Sequence, residues 1–159
     1  MTALYIRSGD TFTQAPHAVV LRSAQCLLSQ QFRRGAPVLS DPAVVQAFVT
    51  AQLAHETREI FAVIFLDSRD RLIDYVELFK GTLDETQVFP REVVKAALDH
   101  SAAAVIFVHN HPCGDSSPSS TDKVLTLRLR SALALVDIQV RDHLVVGETV
   151  TSFVGEGLL

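Results

Sequence analysis

The sequence predicts an α/β fold in which a mixed sheet of five or six strands is flanked by helices. Two nearly continuous apolar runs, residues 59–67 and 102–108, have the length and the β-branched and aromatic content of strands buried on both faces. Segments with helical apolar spacing separate these strands, and prolines mark the starts of two helices. Strands that alternate with helices are typical of an α/β sheet.

Residues 1–40 are predicted to form an N-terminal arm and helix, and residues 41–159 the main domain. Leu4, Tyr5 and Ile6 offer a short edge strand within the arm. We predict, in order, a helix over residues 17–32, a helix over 42–55, a hairpin of strands over 59–67 and 72–79, a loop or short strand over 81–89, a helix over 90–100, a strand over 102–108, a helix over 120–136, and strands over 138–146 and 149–154.

The apolar spacing also predicts which side of each helix faces the sheet. Asp41 and the proline after it form a helix start, and Val44 is then expected on the buried face. By the same spacing, Leu98 of the following helix and Val124 of the last helix are expected to point inward.

A compact polar motif follows the second apolar run. His109 and His111 end the predicted strand, and alternation points both imidazoles to one face while Asn110 points to the other. A turn with proline and glycine leads to Ser119, which opens a helix, and Asp122 lies one turn inside it. Two imidazoles and one carboxylate make a three-ligand site with one open position, as in catalytic zinc sites.

Each part of the motif also has a simpler structural interpretation. Ser119 and Asp122 have the spacing of a helix capping box, and a histidine at a strand end is often only a hydrogen-bonded polar residue. The combination of His-x-His, a turn and Ser-x-x-Asp in one short segment favours the metal site. The contiguous letters His-Asn-His argue against the nucleases named for them, because those enzymes spread the residues over a ββα unit.

The motif resembles the JAMM motif of the JAB/MPN metallopeptidases, and most closely their RadC-like branch. The similarity is carried by residues 109–114, by Pro118 and Ser119, by residues 90–95 and by residues 142–147. The resemblance runs from about residue 41 to residue 159. It implies a JAB/MPN (cytidine-deaminase-like) architecture, Zn²⁺ as the cofactor, and a zinc-dependent metallopeptidase or isopeptidase that acts through a metal-bound water.

Such a hydrolase needs a base and a donor to the carbonyl oxygen. The resemblance implies Glu59, at the start of the first core strand, as the catalytic base, with Glu77 and Glu56 as alternatives. Ser119 fits as the donor that stabilises the oxyanion of a tetrahedral intermediate. His143 follows an acid near a strand start, and is either a purely structural residue or a residue that orients a ligand.

Two other residues of the motif have predicted supporting roles. Asn110 is expected to order the turn that follows the strand. Cys113 stands where RadC-like sequences commonly have serine, and it is interpreted as a passive turn residue, with competition for zinc as the alternative.

Composition limits the function classes. The net charge of −4 argues against direct DNA binding, and about forty N-terminal residues are too few for the helical, DNA-binding section of full-length RadC-like proteins. Two distant cysteines fit a reducing cytoplasm, and no signal peptide or membrane-spanning run is visible.

Three functions remain after these limits. The first is a hydrolase acting on a protein or peptide, the second a DNA-repair accessory protein, and the third a noncatalytic interaction module. Exposed strand edges also allow a homodimer.

Overall fold

The computed structural model describes residues 4–8, 10–33, 42–81 and 87–159, and for residues 28–33 only the helical backbone. The described chain forms β1 (Tyr5–Ser8), β2 (Thr11–Gln14), α1 (His17–Arg33), α2 (Pro42–Leu53), β3 (Ile60–Leu66), β4 (Leu72–Lys80), α3 (Pro90–Asp99), β5 (Ala104–Asn110), α4 (Ser120–Ala134), β6 (Gln139–Val146) and β7 (Val150–Ser152). The predicted cap at Asp41 and most of the predicted loop over residues 81–89 lie outside these ranges.

A five-stranded mixed sheet forms the centre of the fold, with the strand order β4-β3-β5-β6-β7. β5 and β6 are parallel, and the other neighbouring pairs are antiparallel. Because parallel neighbours need a crossover connection, α4 links the end of β5 to the start of β6. The predicted α/β class with a mixed sheet is confirmed, and all the predicted helices and strands of the main domain are present within a few residues of their expected bounds.

The first strands behave differently from the expectation for the arm. β1 and β2 pair with each other in a separate antiparallel hairpin, so residues 5 and 6 do not join the edge of the main sheet. α1 follows directly and contacts α2 and β4. Among the described residues, no helix is long and apolar enough to cross a membrane.

Side-chain alternation divides the core into two layers. Ile64 and Ile106 belong to the layer beneath α2, whereas Phe65 and Phe107 belong to the layer that includes residues of α3 and α4. β3 and β5 are buried along their whole length, as the continuous apolar runs predicted. The same alternation directs His109 to the α4 layer and Asn110 to the α2 side, and this separation determines the layout of the site.

The predicted inward faces of the helices are wrong at three positions. Val44 is partly exposed, and Leu98 and Val124 have exposed fractions of 53% and 58%. In α4, Leu129 and Leu133 are buried, as the apolar spacing predicts, but Asp122 and Thr126 are buried beside them. Two polar side chains therefore share the inward face, and apolar spacing alone does not identify them.

Candidate metal centre

The end of β5 and the first turn of α4 bring the three predicted metal ligands together. His109 is the second-last residue of β5, His111 follows the strand directly, and Asp122 is the third residue of α4. The side chains of His109 and Asp122 are 1% and 10% exposed, and that of His111 is 18% exposed. In the described part of the chain, these three residues form the group of possible metal ligands, with their ligand atoms all within 4.8 Å of one another.

The distances within this group are close to those between the ligands of one metal ion. The Nε2 atoms of His109 and His111 are 3.0 Å apart; Nε2 of His109 lies 3.3 Å from Oδ1 of Asp122, and Nε2 of His111 lies 3.5 Å from Oδ2. For ligand bonds of about 2.0–2.1 Å, neighbouring corners of a tetrahedron are separated by about 3.3–3.4 Å. Two imidazoles and one carboxylate are therefore close enough to hold one small divalent metal ion between them.

The three groups are strongly coupled electrostatically. The hydrogen bond with Asp122 raises the pKa of His111 to about 9, against the effect of burial, and the Asp115 carbonyl and the charges of Asp122 and Glu59 add to the rise. Burial alone would raise the pKa of Asp122, but hydrogen bonds with His109 and His111 outweigh it and hold that pKa well below its ordinary range. A metal ion that binds here therefore replaces a proton that His111 carries at neutral pH.

Local hydrogen bonds orient two of the ligands. Nδ1 of His111 lies 2.6 Å from the backbone carbonyl oxygen of Asp115, and the backbone N–H of His111 donates to the carbonyl of Val146 on β6. The hydroxyl of Ser119 donates to Oδ2 of Asp122 at 2.6 Å, and the same two residues complete a capping box at the start of α4. The metal motif and the helix cap, which the sequence offers as alternatives, are therefore built from the same residues.

His109 is oriented by residues that are distant from it in the sequence. Its Nδ1 lies 2.8 Å from Nε2 of His143 on β6, and Nδ1 of His143 lies 2.6 Å from the hydroxyl of Thr126 on α4. His143 is fully buried, and burial lowers its pKa well below the ordinary value, so its ring is neutral. Of the two interpretations that the sequence allows for His143, the contacts favour the one in which it orients a ligand.

The sequence pattern did not indicate a role for Thr126 at the site. It lies four residues after Asp122 in α4, which places both side chains on one face of the helix, and its hydroxyl donates to the backbone carbonyl of Asp122 at 2.6 Å. That spacing was the available signal, but a threonine in an otherwise apolar stripe does not by itself indicate a partner on another strand.

Glu59 lies one residue before β3, and the strand brings it to the same end of the sheet as the ligands. Phe61 is opposite His109 in the β3–β5 register, and Glu59 is half-buried and contributes to the raised pKa of His111. The two alternative bases differ in setting. Glu77 forms an ion pair with Lys80, at 2.9 Å, and Glu56 is exposed.

Asn110 holds the segment that contains Glu59. Its Oδ1 accepts from the backbone N–H of Ile60 at 2.8 Å, and its Nδ2 donates to the carbonyl oxygens of Arg58 at 3.0 Å and Glu56 at 3.4 Å. The expectation that Asn110 orders the following turn is wrong. Because alternation directs its side chain to the α2 side, it contacts the chain before β3 instead.

The turn after β5 is supported by the β6–β7 turn. The backbone N–H of Glu148 donates to the carbonyl of Gly114 at 2.7 Å, and a Cβ atom on Gly147 would lie only 2.2 Å from that same oxygen. Gly147 therefore permits a close backbone approach. Cys113, in the supported turn, is exposed and has no disulfide partner, and it lies outside the three-ligand group.

Comparison with known proteins places these features in a family context. Residues 39–158 match the family described as the RadC-like JAB domain. The chain is similar to a protein of Vibrio cholerae named UPF0758 protein, with 49% identity over 88% of each chain. UPF0758 proteins of Cellvibrio japonicus and Aeromonas hydrophila are 60% and 48% identical over 70% and 88% of this chain. The alignments span 50% and 62% of those two relatives.

Proposed function

The chain belongs to the RadC-like JAB domain family, and from that membership and the geometry of the site we propose that it is a zinc-dependent hydrolase that cleaves peptide or isopeptide bonds. The observation that carries the proposal is the convergence of His109, His111 and Asp122, whose ligand atoms all lie within 4.8 Å of one another. Two imidazoles and a carboxylate suit zinc, and three protein ligands leave one position open, which is typical of catalytic zinc.

A zinc ion in this site supplies Lewis acidity, which makes water a better nucleophile at neutral pH and polarises a carbonyl oxygen. The chain itself must remove a proton from the attacking water and deliver one to the leaving amine. We assign both transfers to the carboxylate of Glu59. Its position at the ligand end of the sheet and its electrostatic effect on His111 support this assignment.

Ser119 is assigned the stabilisation of the carbonyl oxygen as that atom gains negative charge. Its hydroxyl is at the N-terminus of α4, where the helix dipole favours negative charge. In the structure this hydroxyl donates to Asp122, so it must turn toward the substrate during the reaction. The substrate is proposed to be a protein or peptide, since an amide bond supplies both the carbonyl and the basic leaving group that these residues serve.

The first experiment is elemental analysis of the purified protein beside a His109→Ala/His111→Ala variant. We expect about one zinc per chain in the wild type and its loss in the variant. An absence of metal in wild-type protein prepared without chelators would contradict the hydrolase proposal and leave a noncatalytic module as the better interpretation.

The second experiment separates the base from the metal. Glu59→Gln keeps the shape of the side chain but removes the proton acceptor, so zinc content should remain while turnover of a peptide substrate falls by about 10²–10⁴-fold. Glu92→Gln, an equivalent change at an exposed position of α3, is the matched control. If the two variants turn over substrate equally, Glu59 is not the base.

A third variant distinguishes the two roles open to Ser119. If the hydroxyl stabilises the oxyanion, Ser119→Ala lowers kcat by about 10²–10³-fold even when zinc is saturating. If its only role is to hold Asp122, the variant binds zinc more weakly, and excess zinc restores kcat. Loss of the helix cap should cost about 1 kcal/mol of folding stability in either case.

A further inference from the structure

We propose that Thr126 and His143 form a positioning relay that keeps a hydrogen on Nδ1 of His109, so that its Nε2 is the nitrogen that faces the metal site. Neither residue contacts the Nε2 atoms or the carboxylate oxygens that would bind the metal, so both act as positioning residues. The inference deepens the proposed function, since it rests on the same metal site.

The relay begins with the hydroxyl of Thr126, which has one hydrogen to donate. The backbone carbonyl of Asp122, 2.6 Å away, can only accept, so the threonine hydrogen is directed to it. The other contact of the same oxygen, with Nδ1 of His143 at 2.6 Å, must then be a hydrogen bond donated by the histidine. Thr126 therefore determines that His143 carries its hydrogen on Nδ1.

The position of the hydrogen on His143 then determines its position on His109. His143 is packed among the rings of Phe61, Phe107 and Phe153, and a fully buried ring in such surroundings stays neutral. With its hydrogen on Nδ1, His143 can only accept at Nε2, which lies 2.8 Å from Nδ1 of His109. His109 must therefore carry a hydrogen on Nδ1, and its Nε2, which lies 3.3 Å from Oδ1 of Asp122, is the nitrogen left to bind a metal ion.

His111 is oriented in the same way by a different acceptor. Its Nδ1 lies 2.6 Å from the backbone carbonyl of Asp115, which can only accept, so Nδ1 carries a hydrogen and Nε2 faces the metal site. Both histidines are therefore presented to the metal through Nε2 by acceptors on the far side of their rings.

The relay also connects two ligands that belong to different elements. It runs from the backbone of Asp122 on α4 through β6 to His109 on β5, so it holds the first turn of α4 against the sheet through hydrogen bonds that involve no metal ion. Because a free His109 ring would exchange between two tautomers, fixing one of them lowers the cost of binding the metal.

The direct test is ¹⁵N NMR of the histidine-labelled 159-residue chain, recorded before and after addition of zinc. The pattern of two-bond couplings shows which ring nitrogen carries the hydrogen. We expect hydrogen on Nδ1 of both His109 and His143 in both samples. A His109 or His143 ring without hydrogen on Nδ1 before zinc addition would overturn the relay, whether or not zinc binds afterwards.

The matching variant is Thr126→Val, which has nearly the same shape but lacks the hydroxyl. We expect it to bind zinc about 10–100-fold more weakly in competition with a chromogenic chelator, and to show both tautomers of His143. Thr121→Val, the same change at an exposed position of α4, should behave as wild type. Unchanged zinc affinity together with an unchanged His143 tautomer in Thr126→Val would refute the proposal.

The two tests separate this inference from the proposed function. Failure of wild-type protein to bind zinc would remove the hydrolase proposal but leave the tautomer measurement valid. Normal zinc binding with the wrong tautomer would remove the relay alone. If Thr126→Val does not fold, the wild-type spectra still decide.

Discussion

Replacement of Asn110 by alanine tests how the segment that carries Glu59 is held at the site. Asn110 is 2% exposed and makes three hydrogen bonds to the backbone between residues 56 and 60. Alanine removes all three. The N–H of Ile60, which is also 2% exposed, then has no side-chain acceptor, whereas the carbonyls of the exposed residues Glu56 and Arg58 can bind water.

The loss of folding stability expected for Asn110→Ala comes from the buried backbone N–H of Ile60. An unsatisfied buried N–H costs about 1–3 kcal/mol, and the rehydrated carbonyls add little. For a domain of this size each kcal/mol lowers Tm by about 2–4 °C, so the metal-free variant should melt about 2–12 °C below the wild type. Turnover should also fall, because Glu59 is no longer fixed, while zinc stoichiometry stays the same because Asn110 points away from the ligands.

Thermal unfolding of metal-free protein, zinc analysis and a peptide assay measure these three effects, and Gln87→Ala, an exposed amide truncation, is the control. An Asn110→Ala protein with the wild-type unfolding midpoint and turnover would refute the reasoning. Loss of zinc would also contradict it, because it would mean that Asn110 supports the ligands and not the base.

Two further predictions concern the turn and the ligands. In Gly147→Ala the new Cβ must push away the turn that contains Gly114, so we expect a loss of about 1–3 kcal/mol of folding stability and weaker zinc binding. Thermal unfolding and zinc titration measure the two effects. Gly155→Ala, whose Cβ would meet nothing closer than 3.4 Å, is the control and should be tolerated. In metal-free protein the pKa of His111 is raised from 6.5 to about 9 by Asp122, so the stability from protonated His111 is fully present below pH 6.5 and is lost as the pH rises through about 9. Melting temperatures across this range should show the decrease, and His111→Gln should abolish most of it.

The fold was predictable because its central strands are encoded locally. The runs that became β3 and β5 are apolar at every position, and Pro90 marks the start of α3 in the structure as in the sequence. The inward face of α4 was only partly predictable from apolar spacing: Leu129 and Leu133 are buried as expected, but near the site Asp122 and Thr126 occupy that face. A helix that contributes polar groups to a site has a less regular apolar stripe, so the pattern is weakest where it adjoins the site.

The metal ligands and the groups that orient them depend on different levels of structure. His109, His111 and Asp122 are separated by a strand end, one turn and a helix start, so the local pattern was sufficient to bring them together. His143, the partner of His109, is 34 residues away in the chain, and Asn110, which holds the segment around Glu59 through the N–H of Ile60, is 50 residues from Ile60. Their positions depend on the β5–β6 and β3–β5 registers, including a register shift beside Val105, which no local pattern specifies.

The dependence of the ligands on orienting residues from other strands affects the affinity for zinc. A short motif determines which atoms can hold the metal, but the position of each hydrogen depends on neighbours brought in by the sheet. A segment with the same ligands and spacing, placed on a sheet without an acceptor at the position of His143, would leave His109 free to exchange tautomers. It should therefore bind zinc more weakly than this chain, by about the 10–100-fold expected for the loss of an orienting partner. His143→Phe tests this directly, because the ring fills the same space among Phe61, Phe107 and Phe153 but accepts no hydrogen bond. Retention of full zinc affinity in a folded His143→Phe protein would show that the ligands alone suffice.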